Sequence, residues 1–366
     1  MSNTILTPDV IAKEALMVLE NNLVMAGLVH RDYSKEFVAV GDTITVRRPA
    51  KFIAKNFTGT VDAQDITESS VVVKMDRFRD ITVNISSREM SLDLKDFSEQ
   101  IVVPAMQAIA QAVDRDIMAV GLEGAAETLA SSANPTDLSD LAAIGKYFDS
   151  KAVPIYDRRL VLNPDHKYKY AALDNLSKVS YAGGSDTLRN SEIGKIYTMD
   201  TFMSQNAPTA DAATAGTATA FKVTGTAGES KVKLTNVTAA SGTVKTGDTF
   251  IVDGYMYRFA EDKTASSGTI TTVNIDQPLH ADLADEDALP VKAPNSLAFH
   301  KNGIALVTRQ LELPQGASKA AITSANGLSV RVVFGYDQVT KTDKISFDII
   351  YGIKVLDDNM VCKLVG

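Results

Sequence analysis

The 366-residue sequence has no tryptophan, one cysteine and four histidines, and each scarcity closes off a class of function. A lone Cys362 cannot form an intramolecular disulfide, which fits synthesis in a reducing cytoplasm and marks the thiol as inert rather than nucleophilic. His30, His166, His280 and His300 are scattered, and none stands three to five residues from another histidine or from the cysteine. Zinc-ligand spacing is therefore absent. No GxSxG, P-loop, GxGxxG or HExxH run occurs. No apolar stretch is long enough to span a bilayer, and the opening MSNTILTPDVIAKEALMVLENN lacks the basic-then-apolar layout of a secretory signal. The expectation is a protein with no catalytic residue, no metal, no cofactor and no membrane partner.

What is present describes a soluble globular chain. Hydrophobic residues make up 45% and charged residues 22%, too apolar for wholesale disorder. The net charge of −8 argues against gripping nucleic acid through a basic surface, and leaves open enclosing it.

Along the chain the hydrophobic period changes several times. Residues 7 to 28 open with Thr7 as N-cap and Pro8 in the first turn. Ile11, Ala15, Val18 and Leu19 then form one face, and Gly27 is a helix end. Alternation at Thr43–Val46, again at Val71, Val73 and Met75, and then at Ile81, Val83 and Ile85 predicts strands around an irregular, projecting polar segment. Residues 94 to 122 hold the strongest helical pattern. Ile101, Ala105, Ala108, Ile109, Ala112, Val113, Ile117 and Val120 form its apolar side, while Gln107, Gln111, Asp114 and Arg115 fall mostly on the other. Pro104 starts or bends this helix, and Gly121 and Gly124 end it.

Residues 136 to 200 read as an α/β unit, with helices over Asp140–Ser150 and Pro164–Leu173, a strand at Arg159–Leu162 and a loop at Tyr181–Asp186. The composition then shifts: of the 40 residues from Ala207 to Thr246, 20 are Ala or Thr and only 6 are charged. Strand-like pieces recur at Phe221, Lys231, Thr249, Tyr255 and Thr269, separated by Gly247-Asp248, Asp253-Gly254 and Ser267-Gly268, which predicts a small separate β-barrel or sandwich ending near Pro290–Pro294. Strand pattern resumes at Ser296–His300. Two long strands close the chain, Leu328–Tyr336 and Lys344–Val355.

Three groups of polar residues merit weighing. Asn163, Asp165 and His166 could be half of a catalytic pair, yet adjacent Asp and His point apart on a helix, and a cap with a polar first turn is favoured. Asp114, Asp116 and Glu123 could hold a metal or exchange protons, against a favoured solvated helix face or subunit contact. Arg47, Arg48, Lys51 and Lys55 are the basic concentration of the chain. A solvated hairpin edge and docking onto an acidic neighbour stay open for them.

The order of parts resembles the tailed-phage major capsid fold of the Hong Kong 97 type, and is most similar to the P-twenty-two-type coat protein family with its insertion domain. The resemblance rests on NTILTPDVIAKEALMVLENNLVMAGLVHRDY, VGDTITVRRP, GDTFIVDGYMYRF, NSLAFHKNGIALVTRQLELP and VRVVFGYDQVTKTDKISFDIIYGIKVL. It implies an α+β chain with an N-arm at 1–35, an extended hairpin loop and peripheral strands at 36–93, and a long peripheral helix at 94–135. An apical domain split between 136–207 and 294–335 follows, with an inserted all-β barrel at 208–293 and closing strands at 336–366. The implied function is a non-enzymatic major capsid protein, assembled in the host cytoplasm and resident in the virion. Its copies would form hexamers and pentamers of an icosahedral shell around double-stranded DNA, bound without sequence specificity. The absence of a long segment before the arm suggests a separate scaffolding protein, and portal and decoration proteins are further implied partners. The rival classes are a β-rich surface adhesin, disfavoured by the missing signal, and an enzyme with an unrecognised site, disfavoured by the lack of converging polar motifs.

Overall fold

The computed structural model describes residues 8–31, 43–47, 70–85, 101–130, 135, 137–178, 193–210, 221–235, 237, 243–253, 255–290, 293–314, 319–325, 328–337 and 342–366. In chain order the elements are α1 (Pro8–Asn22), α2 (Met25–Leu28), β1 (Thr43–Arg47), β2 (Ser70–Lys74), β3 (Arg77–Ile85), α3 (Val103–Glu123), β4 (Glu127–Ala130), α4 (Ser139–Ser150), β5 (Arg158–Leu162), α5 (Pro164–Ala171), α6 (Asp174–Ser177), β6 (Lys195–Ile196), β7 (Met199–Met203) and β8 (Thr209–Ala210). Then come β9 (Phe221–Gly225), β10 (Lys231–Thr235), β11 (Thr243–Val244), β12 (Thr249–Val252), β13 (Tyr255–Arg258), β14 (Lys263–Thr264), β15 (Ile270–Asn274) and β16 (Leu283–Pro290). The chain closes with β17 (Ala293–His300), β18 (Ile304–Arg309), β19 (Lys319–Ala325), β20 (Leu328–Asp337), β21 (Thr342–Val355) and β22 (Val361–Val365). Two compact units result, Met1–Ile117 with Ala305–Leu356 and Met118–Ile304 with Asp357–Gly366.

The first unit is built on β21. Its unbroken alternation buries Ile345, Phe347, Ile349, Tyr351 and Ile353. It pairs antiparallel with β20 (Phe334↔Ile345) and with β3 (Val83↔Ile345). The sheet runs β18-β21-β20-β19, with β3 also on β21. Helix α1 lies on β19 and β20. Ile11, Ala12, Ala15, Leu16 and Leu19 face that sheet and are buried, while Met17 is exposed. Burying each of the larger side chains stabilises the contact by about 1.5–3 kcal/mol, which a lone fifteen-residue helix needs. The expected Thr7 cap lies outside the described residues. Gly27 does not end the first helix: α1 stops at Asn22 and Gly27 sits inside the short α2.

The predicted strand pair is present as β1 and β2, antiparallel with Ile44 opposite Val73. The intervening residues 48–69 lie outside the described set. Strand β2 passes so close to β21 that a Cβ on Gly352 would stand 2.3 Å from the Lys74 carbonyl oxygen.

Helix α3 starts at Val103 and places Pro104 in its first turn, where the missing N–H costs no helical bond. Its buried stripe is Ala105, Met106, Ile109, Ala110, Val113, Asp114, Ile117, Met118 and Leu122. The sequence reading of this face needs two corrections. Ala108 is exposed, and Asp114 is buried rather than on the polar side. Gly121 does not end the helix either. It lies within α3 at a close approach, where a Cβ would fall 2.5 Å from Leu297 Cδ2, and the Gly124 N–H closes the last turn on Val120 O at 2.9 Å.

In the second unit the sheet order is β4-β22-β17-β5-β7-β6, with β8 on β17. The pairs β22/β4 and β5/β7 are parallel, and β17 is antiparallel to both of its neighbours. Leu141, Ile144 and Phe148 of α4 pack with Leu160, Leu162, Tyr170, Met199, Ala298, Cys362 and Leu364. Helix α5 begins as the sequence implies: Asn163 Oδ1 accepts the Asp165 N–H at 3.0 Å, with Pro164 next in line.

Between β8 and β17 the chain makes the six-stranded sheet β13-β12-β16-β9-β10-β15 and the small pair β11-β14. An antiparallel bridge from Phe259 to Ile275 joins the strands at its two ends. The interior holds Phe221, Phe250, Tyr257 and Phe259 with Val223, Val273 and Leu279, and every member of that buried cluster falls between residues 221 and 288. The turns use the predicted residues: Ser267 and Gly268 both have positive φ (52° and 73°), as does Asp253 (50°). Entry and exit are adjacent, since Ala210 pairs Ala293 and the Asn295 N–H reaches Pro208 O at 3.1 Å.

Candidate functional site

The acidic residues of α3 separate into distinct structural roles. Asp114, fully buried, accepts the backbone N–H groups of Val24 (3.0 Å) and Met25 (3.1 Å), which are otherwise unpaired at the start of α2. Burial raises its carboxyl to about 6 although these bonds act to lower it. Asp116 receives Arg77 (2.8 Å), Arg79 (2.7 Å) and the Tyr351 hydroxyl, joining β3 and β21 to α3. Burial by itself would raise the Asp116 carboxyl, but the bonds from Tyr351 and Arg79 outweigh it and hold the group below the usual range. Glu123 is exposed. The three do not converge, and among the described residues no cluster of His, Cys, Asp and Glu suits a metal ion.

Asp165 and His166 point apart, one exposed and one buried. His166 Nδ1 lies 2.7 Å from Ser296 Oγ, which itself accepts the Asn163 N–H at 2.9 Å. Burial lowers this histidine to about 4. A Ser–His contact with both members buried has no access to a substrate; it pins α5 to β17.

Cys362 is buried in β22 beside the α4 core, and burial raises its thiol to about 12. The inert thiol expected from the sequence follows from this desolvation. Arg47 ends β1 opposite Ser70. Arg48, Lys51 and Lys55 lie outside the described residues.

Two constellations escaped the sequence reading. Arg158 is 1% exposed and shares a strand face with Leu160 and Leu162. Its guanidinium donates to Val153 O (2.6 Å), Pro154 O (3.0 Å), Asp149 Oδ1 (2.8 Å) and Thr198 Oγ1 (3.2 Å). An arginine in register with buried leucines was the available signal. In the inserted sheet, His280 stands between the Tyr257 hydroxyl (2.6 Å) and Asp253 (3.1 Å) and stacks on Tyr255 at 3.7 Å. The members are 27 residues apart at most, with no motif to announce them.

The family model described as P22 coat protein, gene protein 5, matches residues 2–281. No curated protein matches the chain. Among solved structures, one from Mycobacterium phage Che8 is similar at a TM-score of 0.56 and 16% identity, covering 93% of this chain and 90% of that one. The capsid structure of the cyanophage P-SCSP1u follows at 0.48 and 14%, covering 89% and 84%. The asymmetric unit of the bacteriophage PhiM1 mature capsid gives 0.48 and 10%, covering 88% and 82%.

Proposed function

The chain belongs to the P22 coat protein family and is a major capsid protein of the virion, not an enzyme, and from that premise we propose how its parts serve the shell. Copies of the chain form the icosahedral shell, and the shell encloses phage double-stranded DNA. The observation that carries this reading is the family match over residues 2–281. The charge supports it, because a wall with net charge −8 avoids gripping its contents. Many weak contacts, repeated across copies, suffice to hold such a shell.

Residues 1–35 act as the N-arm, and the 36–85 hairpin reaches a neighbouring copy, with Arg47, Arg48, Lys51 and Lys55 as its contact residues. Residues 208–293 form an insertion domain on the outer surface. Its support is a buried cluster of its own and adjacent ends at Ala210 and Ala293. A separate scaffolding protein, a portal and a decoration protein complete the assembly. Electron microscopy of the purified chain, with its scaffolding partner where required, tests the whole. Closed shells or polyheads are expected; stable monomer under every assembly condition would reject the reading.

A further inference from the structure

Three of the most exposed large apolar side chains of the second unit lie on two segments tied to one buried group. Ile155 is 56% exposed and Tyr156 84%, both in the stretch between α4 and β5, and Tyr197 is 48% exposed in the turn between β6 and β7. The Arg158 guanidinium binds the first segment through the carbonyls of Val153 and Pro154 and the second through Thr198 Oγ1. Tyr197 is seated on α4, with its Cβ 3.5 Å from where a Cβ on Gly145 would lie. The two segments are held as one platform.

The turns that carry the platform are tight ones: Ala152 (φ 53°) is the left-handed residue after the C-cap of α4, and Tyr197 (44°) with Thr198 (68°) makes the two-residue turn between β6 and β7. Exposed aromatic rings on a rigid base are the side chains that carry most binding energy at protein interfaces. The same segments carry Lys151 and Lys195 together with exposed Asp149 and Asp157 and half-buried Asp200, which pairs with Lys195. A rim of both signs suits another protein surface of mixed charge, and lacks the basic excess that DNA would need.

We propose that Ile155, Tyr156 and Tyr197 form a preorganised docking surface for a second copy of this chain in the shell. The choice of a copy rests on the coat-protein reading, because a shell subunit must bury surface on its own kind. Arg158 acts as the positioning residue that holds the two segments in register before docking occurs.

The test uses the buried Cys362, which leaves an introduced thiol at the surface as the reactive one. The full-length Tyr156→Cys chain is labelled with a maleimide-benzophenone, assembled and irradiated. A covalent two-chain adduct in shells, absent from free subunits, is the expected result. No adduct in shells, or an adduct with a different protein, overturns the proposal. In parallel, the Tyr156→Ser/Tyr197→Ser chain should keep the wild-type melting temperature and lose at least tenfold in assembly rate. Wild-type assembly by that variant also overturns it. Failure of the wild-type chain to form shells would instead count against the coat-protein reading, so the two failures are distinguishable.

Discussion

The carboxylate of Asp114 on the long helix α3 accepts the backbone N–H of Met25, 89 residues earlier in the chain, at 3.1 Å in a fully buried setting. That bond, with its partner from Val24, is what anchors the short α2 that follows the N-terminal helix.

Because burial raises Asp114 to about 6, the native state holds a proton that the unfolded chain has released above about pH 4. Its contribution to stability is therefore complete below about pH 4 and lost as pH rises through about 6, a swing of order 3 kcal/mol. Asp114→Asn removes the titration. Thermal melts across this range should show wild type losing stability relative to the variant as pH rises. A gap independent of pH would contradict the assignment.

Asp116 has the opposite sign. Its carboxyl is held low by Tyr351 and Arg79, so its contribution is present above the ordinary aspartate range near about pH 4 and lost as pH falls through its lower folded value. Asp116→Ala leaves the buried Tyr351 hydroxyl and Arg77 without their shared acceptor, and should cost about 2–3 kcal/mol at neutral pH. Denaturant titration at neutral pH, repeated near about pH 3, should show the variant's deficit shrinking in acid.

Gly352 and Gly335 sit on neighbouring strands of one sheet and should respond oppositely to the same change. Gly352→Ala drives a methyl into the backbone of Lys74 and Met75, which cannot retreat, and should destabilise by about 2–3 kcal/mol or more. Gly335→Ala meets nothing within 4 Å and should be neutral or stabilising by about 0.4–1 kcal/mol. Equal melting temperatures for the two variants would show that β2 does not approach β21 so closely.

The hairpin proposal concerns assembly rather than folding. Charge reversal of Arg47, Arg48, Lys51 and Lys55 to glutamate should leave the monomer's circular dichroism and melting unchanged and impair shell formation. Single surface ion pairs contribute about 0–1 kcal/mol, so the effect depends on repetition around the shell. Normal assembly by the quadruple variant, followed by light scattering, removes these residues as contacts.

Residues 208–293 expressed alone should give a β-type circular dichroism spectrum and a cooperative unfolding transition. The aromatic cluster of Phe221, Phe250, Tyr257 and Phe259 provides the core, and the adjacent ends mean that excision breaks few contacts. A disordered amide spectrum would show that the segment depends on the rest of the chain.

What the sequence by itself determined was local. Asn163 caps α5, Ser267-Gly268 makes its turn, and the period-two run of β21 chooses its buried face, because neighbours within a few residues set those energies. The family pattern was legible for the same reason, as a succession of such elements. Strand β16 escaped because Asp285, Glu286 and Asp287 are exposed and, among its residues of described burial, only Leu283 and Ala288 are buried, so no alternation shows. Asp114 was misplaced although its spacing puts it on the buried stripe, since the bonds that make its burial tolerable come from α2. Buried Arg158 ties the segments of Tyr156 and Tyr197 together only after β5 and β7 pair in parallel. Contacts between residues far apart in sequence leave no period behind them. Tertiary structure alone brings such residues together.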